Sequence, residues 1–218
     1  MGKSTVISMA VVRRLPRYRR YLSDLLENGI DRISSKELSE RMGLTASQIR
    51  QDFNCFGDFG QQGYGYNVRE LYAEIARIIG LNKAYNTVIV GAGNIGQAIA
   101  NYSSFSKLGF NLMAIFDVNP KLIGLKFRDI DIRDVDNLDE FLQHNKVDIG
   151  IICVPKIQAQ RTADIFQNRG VRAIWNFAPI DLKTNEGTIV ENVHLSDSLL
   201  TLSYRLNETE LFSKEENN

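Results

Sequence analysis

The stretch Asn86-Thr-Val-Ile-Val-Gly-Ala-Gly-Asn-Ile-Gly96 decides the fold of the larger part of this chain. A short β-branched run breaks into Gly91-x-Gly93-x-x-Gly96, which predicts a strand, a tight turn and a helix start. Each glycine has its own reason. Gly91 makes the turn, Gly93 lets a pyrophosphate approach the backbone, and Gly96 lets the helix pack close to the strand. The turn Gly91-Ala92-Gly93-Asn94-Ile95-Gly96 presents free backbone N–H groups and the positive end of a helix dipole, which together attract phosphate. The next apolar run, Leu112 to Phe116, ends in Asp117, 21 positions after Gly96. A carboxylate there accepts hydrogen bonds from a ribose diol. A lone glycine motif is weak evidence, but strand, glycines, helix and acid in this order point to a dinucleotide site.

Downstream the pattern alternates. Strands are expected over 87–90, 111–116, 148–154 and 172–176, and helices over 94–107, 137–145 and 157–169, with an irregular stretch before 137. Helices between near-continuous apolar strands imply a parallel, doubly wound α/β sheet of Rossmann type. Ligands in such sheets sit beyond the carboxyl ends of the strands. That rule gathers the glycine turn, Asp117, Val154-Pro155 and Asn176-Phe177-Ala178-Pro179 around one crevice. Pro155 and Pro179 read equally well as chain punctuation or as cofactor contacts. With no arginine directly after it, Asp117 favours the free 2′-hydroxyl of NAD over the phosphate of NADP, although Lys121 lies near.

About 85 residues precede this unit, too many for an arm. Tyr18, Leu22, Leu25 and Leu26 form the apolar stripe of a helix that begins near Pro16 and stops at Asn28-Gly29. Ser34-x-x-Glu37 and Thr45-x-x-Gln48 read as capping boxes opening two short helices on either side of Gly43. Such a pair is the helix-turn-helix pattern. In the second helix Ile49 and Phe53 face inward, leaving Ser47, Gln48, Arg50, Gln51 and Asn54 on other faces, where they can meet base edges or phosphates. Phe56 to Asn67 is rich in glycine and aromatic residues and short enough for a β-hairpin wing whose tip can press against the minor groove and backbone, with Gly63, Tyr64 and Gly65 as candidate DNA contacts. Asn67-x-x-Glu70 caps a further helix, Val68 to Leu81. Without the wing and the basic first helix, the two short helices would read as plain packing and their polar residues as a solvated face.

The formal net charge is zero, yet residues 1–86 carry 13 Lys+Arg against 9 Asp+Glu, and residues 87–218 carry 13 against 17. A basic front and an acidic back permit a polyanion partner for the front alone. Cys55 and Cys153 lack disulfide or zinc spacing, so no metal is expected. No apolar run reaches the ~18 residues needed to span a bilayer. The arginines follow the weakly apolar first residues, the wrong order for a signal peptide, so a cytoplasmic protein without membrane association is expected.

Hydride chemistry needs a general acid or base beside the nicotinamide, usually His, Lys or Tyr. His144 lies in a polar helix end and His194 near the C-terminal segment. Tyr102 precedes Lys107 by five positions, not the four that would place both on one helix face. Tyr102 is equally a ligand contact or rim packing. No catalytic residue is assigned, and a pocket without chemistry points to sensing. An NAD-dependent oxidoreductase with an N-terminal interaction domain is the alternative, and a CoA-binding module ranks third because Asp117 disfavours a phosphorylated ribose. Leu199, Leu202 and Leu206 stand at helical spacing in a last helix that covers the sheet or a partner chain. Fraying is expected from residue 207.

A helix-turn-helix with a glycine-aromatic wing, followed by such a sheet, resembles the Rex family of redox-sensing transcriptional repressors. The resemblance covers essentially the whole chain. Its motifs are Arg14-Leu-Pro-x-Tyr-x-Arg20, Ser34-Ser35, Gln48-Ile-Arg50-x-Asp52-Phe53, Phe56-Gly57, Gly63-Tyr-Gly-Tyr66, the glycine turn, Val154-Pro155, Asn176-Phe-Ala-Pro179 and Val190-Glu-Asn-Val193. It implies a winged-helix domain over 1–85, an NAD(H)-binding domain over 86–194 and a dimerisation helix and tail over 195–218. It further implies a homodimer that binds a palindromic operator, tolerates NAD+ and is released by NADH, with the last helix exchanged between protomers. Arg50 and its neighbours would read the operator, and Tyr102 and Phe177 would lie towards the nicotinamide. The family has a basic residue at Gln51, and at His194 an aspartate that pairs with a partner-chain arginine matched by Arg20. Asp197 is the carboxylate that could substitute for it.

Overall fold

The computed structural model describes residues 7–57 and 65–215, with the side chains of the last helix described as far as Thr209. The chain divides into two units, residues 1–83 and 84–218. In the first, α1 (Met9–Val12) and α2 (Leu15–Glu27) precede β1 (Arg32–Ile33), α3 (Ser35–Met42), α4 (Ala46–Asn54), β2 (Tyr66–Asn67) and α5 (Val68–Ile78). Helix α2 takes Pro16 in its first turn, where the missing N–H removes no bond, and buries Leu15, Tyr18, Leu22 and Leu25. Around that stripe pack Leu38 and Met42 of α3, Ile49 and Phe53 of α4, and Leu71 and Ile75 of α5.

The Ser34 box closes in both directions: Glu37 N–H donates to Ser34 Oγ at 3.1 Å, and Ser34 N–H donates to Glu37 Oε2 at 2.8 Å. The second box closes only halfway. Gln48 N–H donates to Thr45 Oγ1 at 3.1 Å, but the Gln48 side chain turns away and donates from Nε2 to Asp52 at 3.0 Å. A carboxylate is the stronger acceptor, and it lies one turn on. Gly43, in the left-handed region at φ 63°, ends α3 and turns the chain into α4.

Of the expected wing, residues 58–64 lie outside the described residues, Gly63 and Tyr64 among them. The flanking strand β2 pairs antiparallel with β1, Ile33 opposite Tyr66. Gly65 sits where an added Cβ would come within 2.7 Å of the Ile33 carbonyl oxygen, so close strand approach accounts for this glycine.

The second unit is built on a sheet of β3 (Tyr85–Val90), β4 (Phe110–Asp117), β5 (Lys126–Phe127), β6 (Ile130–Asp134), β7 (Ile149–Ile152), β8 (Ala173–Asn176) and β9 (Ile189–Asn192), in the order β5-β6-β4-β3-β7-β8-β9. All neighbours are parallel except the β5–β6 hairpin. Helices α6 (Asn94–Asn101), α7 (Ser104–Lys107), α8 (Leu138–His144), α9 (Lys156–Asn168) and α10 (Leu195–Glu215) complete it. Alternate residues of the strands feed opposite faces: Val88, Val90 and Phe116 pack beneath α8 and α9, while Ile89, Ile115 and Ile151 face α6.

Three expectations are corrected. The helix expected over 94–107 breaks at Tyr102, whose ψ of 89° leaves the helical region among Asn101, Ser103 and Ser104, residues whose side chains compete for backbone bonds. The irregular stretch holds β5 and β6, and a further strand, β9, extends the sheet. The tail expected to fray from 207 continues as helix to Glu215.

Candidate functional site

The carboxyl ends of β3, β4, β6 and β7 open onto a cavity of about 720 Å³. Gly91, Gly93, Ile95, Asp117, Pro155 and Phe177 all line it, as does Pro179. Ala92, Asn94 and Gly96 belong to the same turn without lining the cavity.

The three glycines answer to three different constraints. Gly91 has φ +104°, and a Cβ on it would come within 2.5 Å of the Cys153 carbonyl oxygen. A Cβ on Gly96 would sit 1.9 Å from the Gly91 carbonyl oxygen, so the helix could not lie this close to the turn. Gly93 is different. Its backbone is in an ordinary extended conformation and an added Cβ would meet nothing within 4 Å. Among the described residues nothing requires glycine there; a group approaching from the cavity would. No side chain caps the start of α6, leaving its first N–H groups for that group. A pyrophosphate fits these features.

Asp117 is held in place by two main-chain donors, Ala92 N–H to Oδ2 at 2.5 Å and Asn119 N–H to Oδ1 at 2.7 Å. Each oxygen keeps a lone pair for a ribose hydroxyl, and the carboxylate cannot swing to avoid a ribose phosphate. The cavity's described lining contains no His, Lys or Tyr. Burial pushes the Cys153 thiol up to about 12, so the sulfur in this wall stays protonated at neutral pH. Among the described residues, no group of three His, Cys, Asp or Glu could hold a metal ion. No helix is long and apolar enough to cross a membrane among those residues.

Tyr102 does not join this cavity. It is 57 % exposed and lines a second one of about 630 Å³ with Phe105 and Trp175, on the α6 side of the sheet. The break after Asn101 carries it there. The sequence passed over Val118, Val135, Gln158, Arg161 and Thr162, which also line the first cavity. They follow β4, β6 and β7, so the strand-end rule would have found Val135 once β6 was recognised.

In the first unit Ser47, Arg50, Gln51 and Asn54 are exposed along α4, while Gln48 is half-buried. Arg50 Nη1 donates to Ser35 Oγ at 3.1 Å, which steadies the guanidinium at the surface. What positions α4 is Asp52, fully buried on its inner face. Asp52 accepts from Arg14 Nε at 2.6 Å and Nη2 at 2.8 Å, from the Tyr18 hydroxyl at 2.7 Å and from Gln48. Burial opposes ionisation of Asp52, but these donors outweigh it and hold the carboxyl below its usual range. Burial, and then Asp52, push the Tyr18 phenol well up.

Arg20 is exposed on α2 and Asp197 is exposed in the first turn of α10. His194, directly before α10, brings Nε2 within 3.5 Å of Asp181 Oδ1.

Two family models match the chain: one described as a putative DNA-binding protein N-terminus over residues 6–54, and one described as a CoA binding domain over residues 82–180. The redox-sensing transcriptional repressor Rex of Clostridium acetobutylicum is 68% identical over 208 residues, 95% of this chain and 97% of that protein. The crystal structure of RSP with β-NAD+ and operator DNA superposes with a TM-score of 0.90 at 64% identity, over 99% of each chain. That of RSP with β-NADH gives 0.89 at 62% identity, over 97% of this chain and 99% of that one. With identity of this order running through both units, the chain belongs to the Rex family of redox-sensing transcriptional repressors.

Proposed function

We propose that the protein binds a palindromic operator through α4 and the segment before β2, and that NADH in the sheet cavity releases it while NAD+ permits binding. The observation that carries the nucleotide half is Gly93, a glycine with no internal reason for being one, in a cavity where Asp117 is held ready for a ribose. The glycine turn would hold the pyrophosphate, Asp117 the adenosine ribose, and Pro155 and Phe177 would flank the nicotinamide end. The bound nicotinamide serves here as a redox signal, and the protein's residues select and orient it. Ser47, Arg50, Gln51 and Asn54 would face the major groove, with Gln48 held by Asp52. RSP, solved with the same two kinds of partner, supports pairing them in this chain.

In this proposal residues 1–85, 86–194 and 195–218 are the DNA-binding, nucleotide-binding and dimerisation segments of a cytoplasmic homodimer whose α10 is exchanged. Leu195, Leu199, Leu200, Leu202 and Leu206 are each at least 60 % exposed, which supports a partner chain on that helix. Relatives named transcriptional repressors, together with a described cavity lining without His, Lys or Tyr, support binding rather than catalysis. The fixed charge of Asp117 favours NAD(H) over a nucleotide phosphorylated on its ribose, CoA included. The deciding experiment titrates operator binding with NADH and NAD+ side by side. NADH should lower operator affinity and NAD+ should not; equal affinity at saturation with either would refute the reading.

A further inference from the structure

We propose that Asn176 is the joint through which the wall of the nucleotide cavity moves the start of α10, an inference that rests on the function proposed above. Asn176 is the last residue of β8, fully buried, and directly precedes Phe177. Its Oδ1 accepts from Ala178 N–H at 3.0 Å, and its Nδ2 donates to the Ile180 carbonyl at 2.8 Å, with the Ala178 carbonyl at 3.3 Å. These bonds fold residues 177–180 into the loop that sets Phe177 and Pro179 against the cavity.

A residue that only stapled this loop would need no more. Nδ2 also donates to Asn192 Oδ1 on β9 at 2.8 Å, and the Asn176 main-chain oxygen accepts from Val193 N–H at 2.8 Å. Asn192 in turn reaches Asp181 Oδ1 at 3.4 Å, the oxygen that stands 3.5 Å from His194 Nε2. Leu195, the first residue of α10, follows at once. One buried amide thus holds the cavity wall with one set of bonds and the approach to α10 with another.

Burial makes the joint stiff. A buried amide that loses a partner finds no water to replace it, so the loop cannot shift while the amide stays behind. A displacement of Phe177 or Pro179 therefore carries Asn176 and pulls on Asn192, the last residue of β9, and on Val193 after it, with α10 beginning two residues further on. The exposed outer links through Asp181 and His194 are weaker and steady the end of the chain of contacts.

Asn192 is exposed and off the cavity, so its variants leave the nucleotide contacts in place, and the unfolding midpoint of each variant checks that the Asn176 amide has not loosened the fold. Asn192→Ala removes the acceptor that Asn176 uses; Asn192→Asp, made with Asp181→Asn so that two carboxylates do not face each other, keeps it. NADH affinity is measured by calorimetry, and operator affinity with and without NADH by fluorescence anisotropy. Asn192→Ala should bind NADH and, in its absence, the operator as wild type does, while the NADH-driven fall in operator affinity shrinks by about tenfold or more. Asn192→Asp should retain most of the wild-type response. A full response in Asn192→Ala, or equal loss in both variants, overturns the joint while the proposed function stands. A wild-type protein whose operator binding ignores NADH overturns both.

Discussion

At Gly93 a side chain would enter the cavity without touching the protein, and at Gly96 it would strike the backbone. The two positions therefore separate binding from folding. Gly93→Val should abolish NADH binding in calorimetry while the unfolding midpoint stays near wild type. Gly96→Val should destabilise the sheet unit by about 1–3 kcal/mol or more through overpacking. Arg50→Ala should weaken operator binding by about 1–3 kcal/mol if the guanidinium makes a bidentate base contact, read as a shifted gel-retardation midpoint. Asp52→Ala should cost the first unit about 3 kcal/mol in denaturant unfolding, because Arg14 and Tyr18 lose a buried acceptor together. The sign of the pH effect follows from the same network. A carboxyl with a depressed folded pKa stabilises above the unfolded value of ~3.9 and loses that contribution as pH falls through the folded one. The first unit should therefore weaken towards acid below about pH 4, and Asp52→Asn should flatten that part of the stability profile.

Elements whose cause is local were legible in the sequence, and those whose cause is distant were not. The Ser34 cap and the stop at Gly43 each depend on residues within a few positions, and the glycine turn announces itself by a local pattern although Gly91 also packs against Cys153; the structure has all three where expected. The second capping box half-closes because its glutamine finds an acid one turn on, and that acid matters because Arg14, 38 residues earlier, meets it. No local pattern in α4 announces such a pair. Strand β6 alternates as Ile130-Asp-Ile-Arg-Asp134 but is short, and β9 gains its place only by pairing with β8. In the site, Gly91, Gly93, Asp117, Pro155 and Phe177 came together because strand ends share one edge. Tyr102 went elsewhere because the helix beneath it ended early. Removing residues 195–218 should leave a protein that binds NADH but runs as a monomer or loose dimer in sedimentation and holds its operator weakly. A truncated chain that stays dimeric and NADH-responsive on DNA would show that coupling runs by another route.

For the whole molecule, a nucleotide shifts DNA binding only by the difference in its affinity for the two states, and the effect is reciprocal. A hundredfold loss of operator affinity requires about 2.7 kcal/mol of coupling, and operator DNA must then weaken NADH binding by the same hundredfold. Calorimetric titration of NADH into protein with and without saturating operator measures that factor directly. Operator affinity should also fall steeply with salt, since bound phosphates release counterions when basic side chains replace them.

Helix α10 spans 21 residues, and its described leucines stand exposed on more than one side. A helix in that condition does little to stabilise a solitary chain and offers sticky surface to any neighbour. Its burial has to come from association, so the resistance of the folded protein to heat becomes a property of its concentration. The melting temperature should climb as the protein is concentrated and drop on dilution. In a cell the same mass action sets a floor on abundance: below it, chains stand alone with open leucines and are exposed to proteases and aggregation. Copy number would then govern the lifetime of the protein as well as the occupancy of its targets.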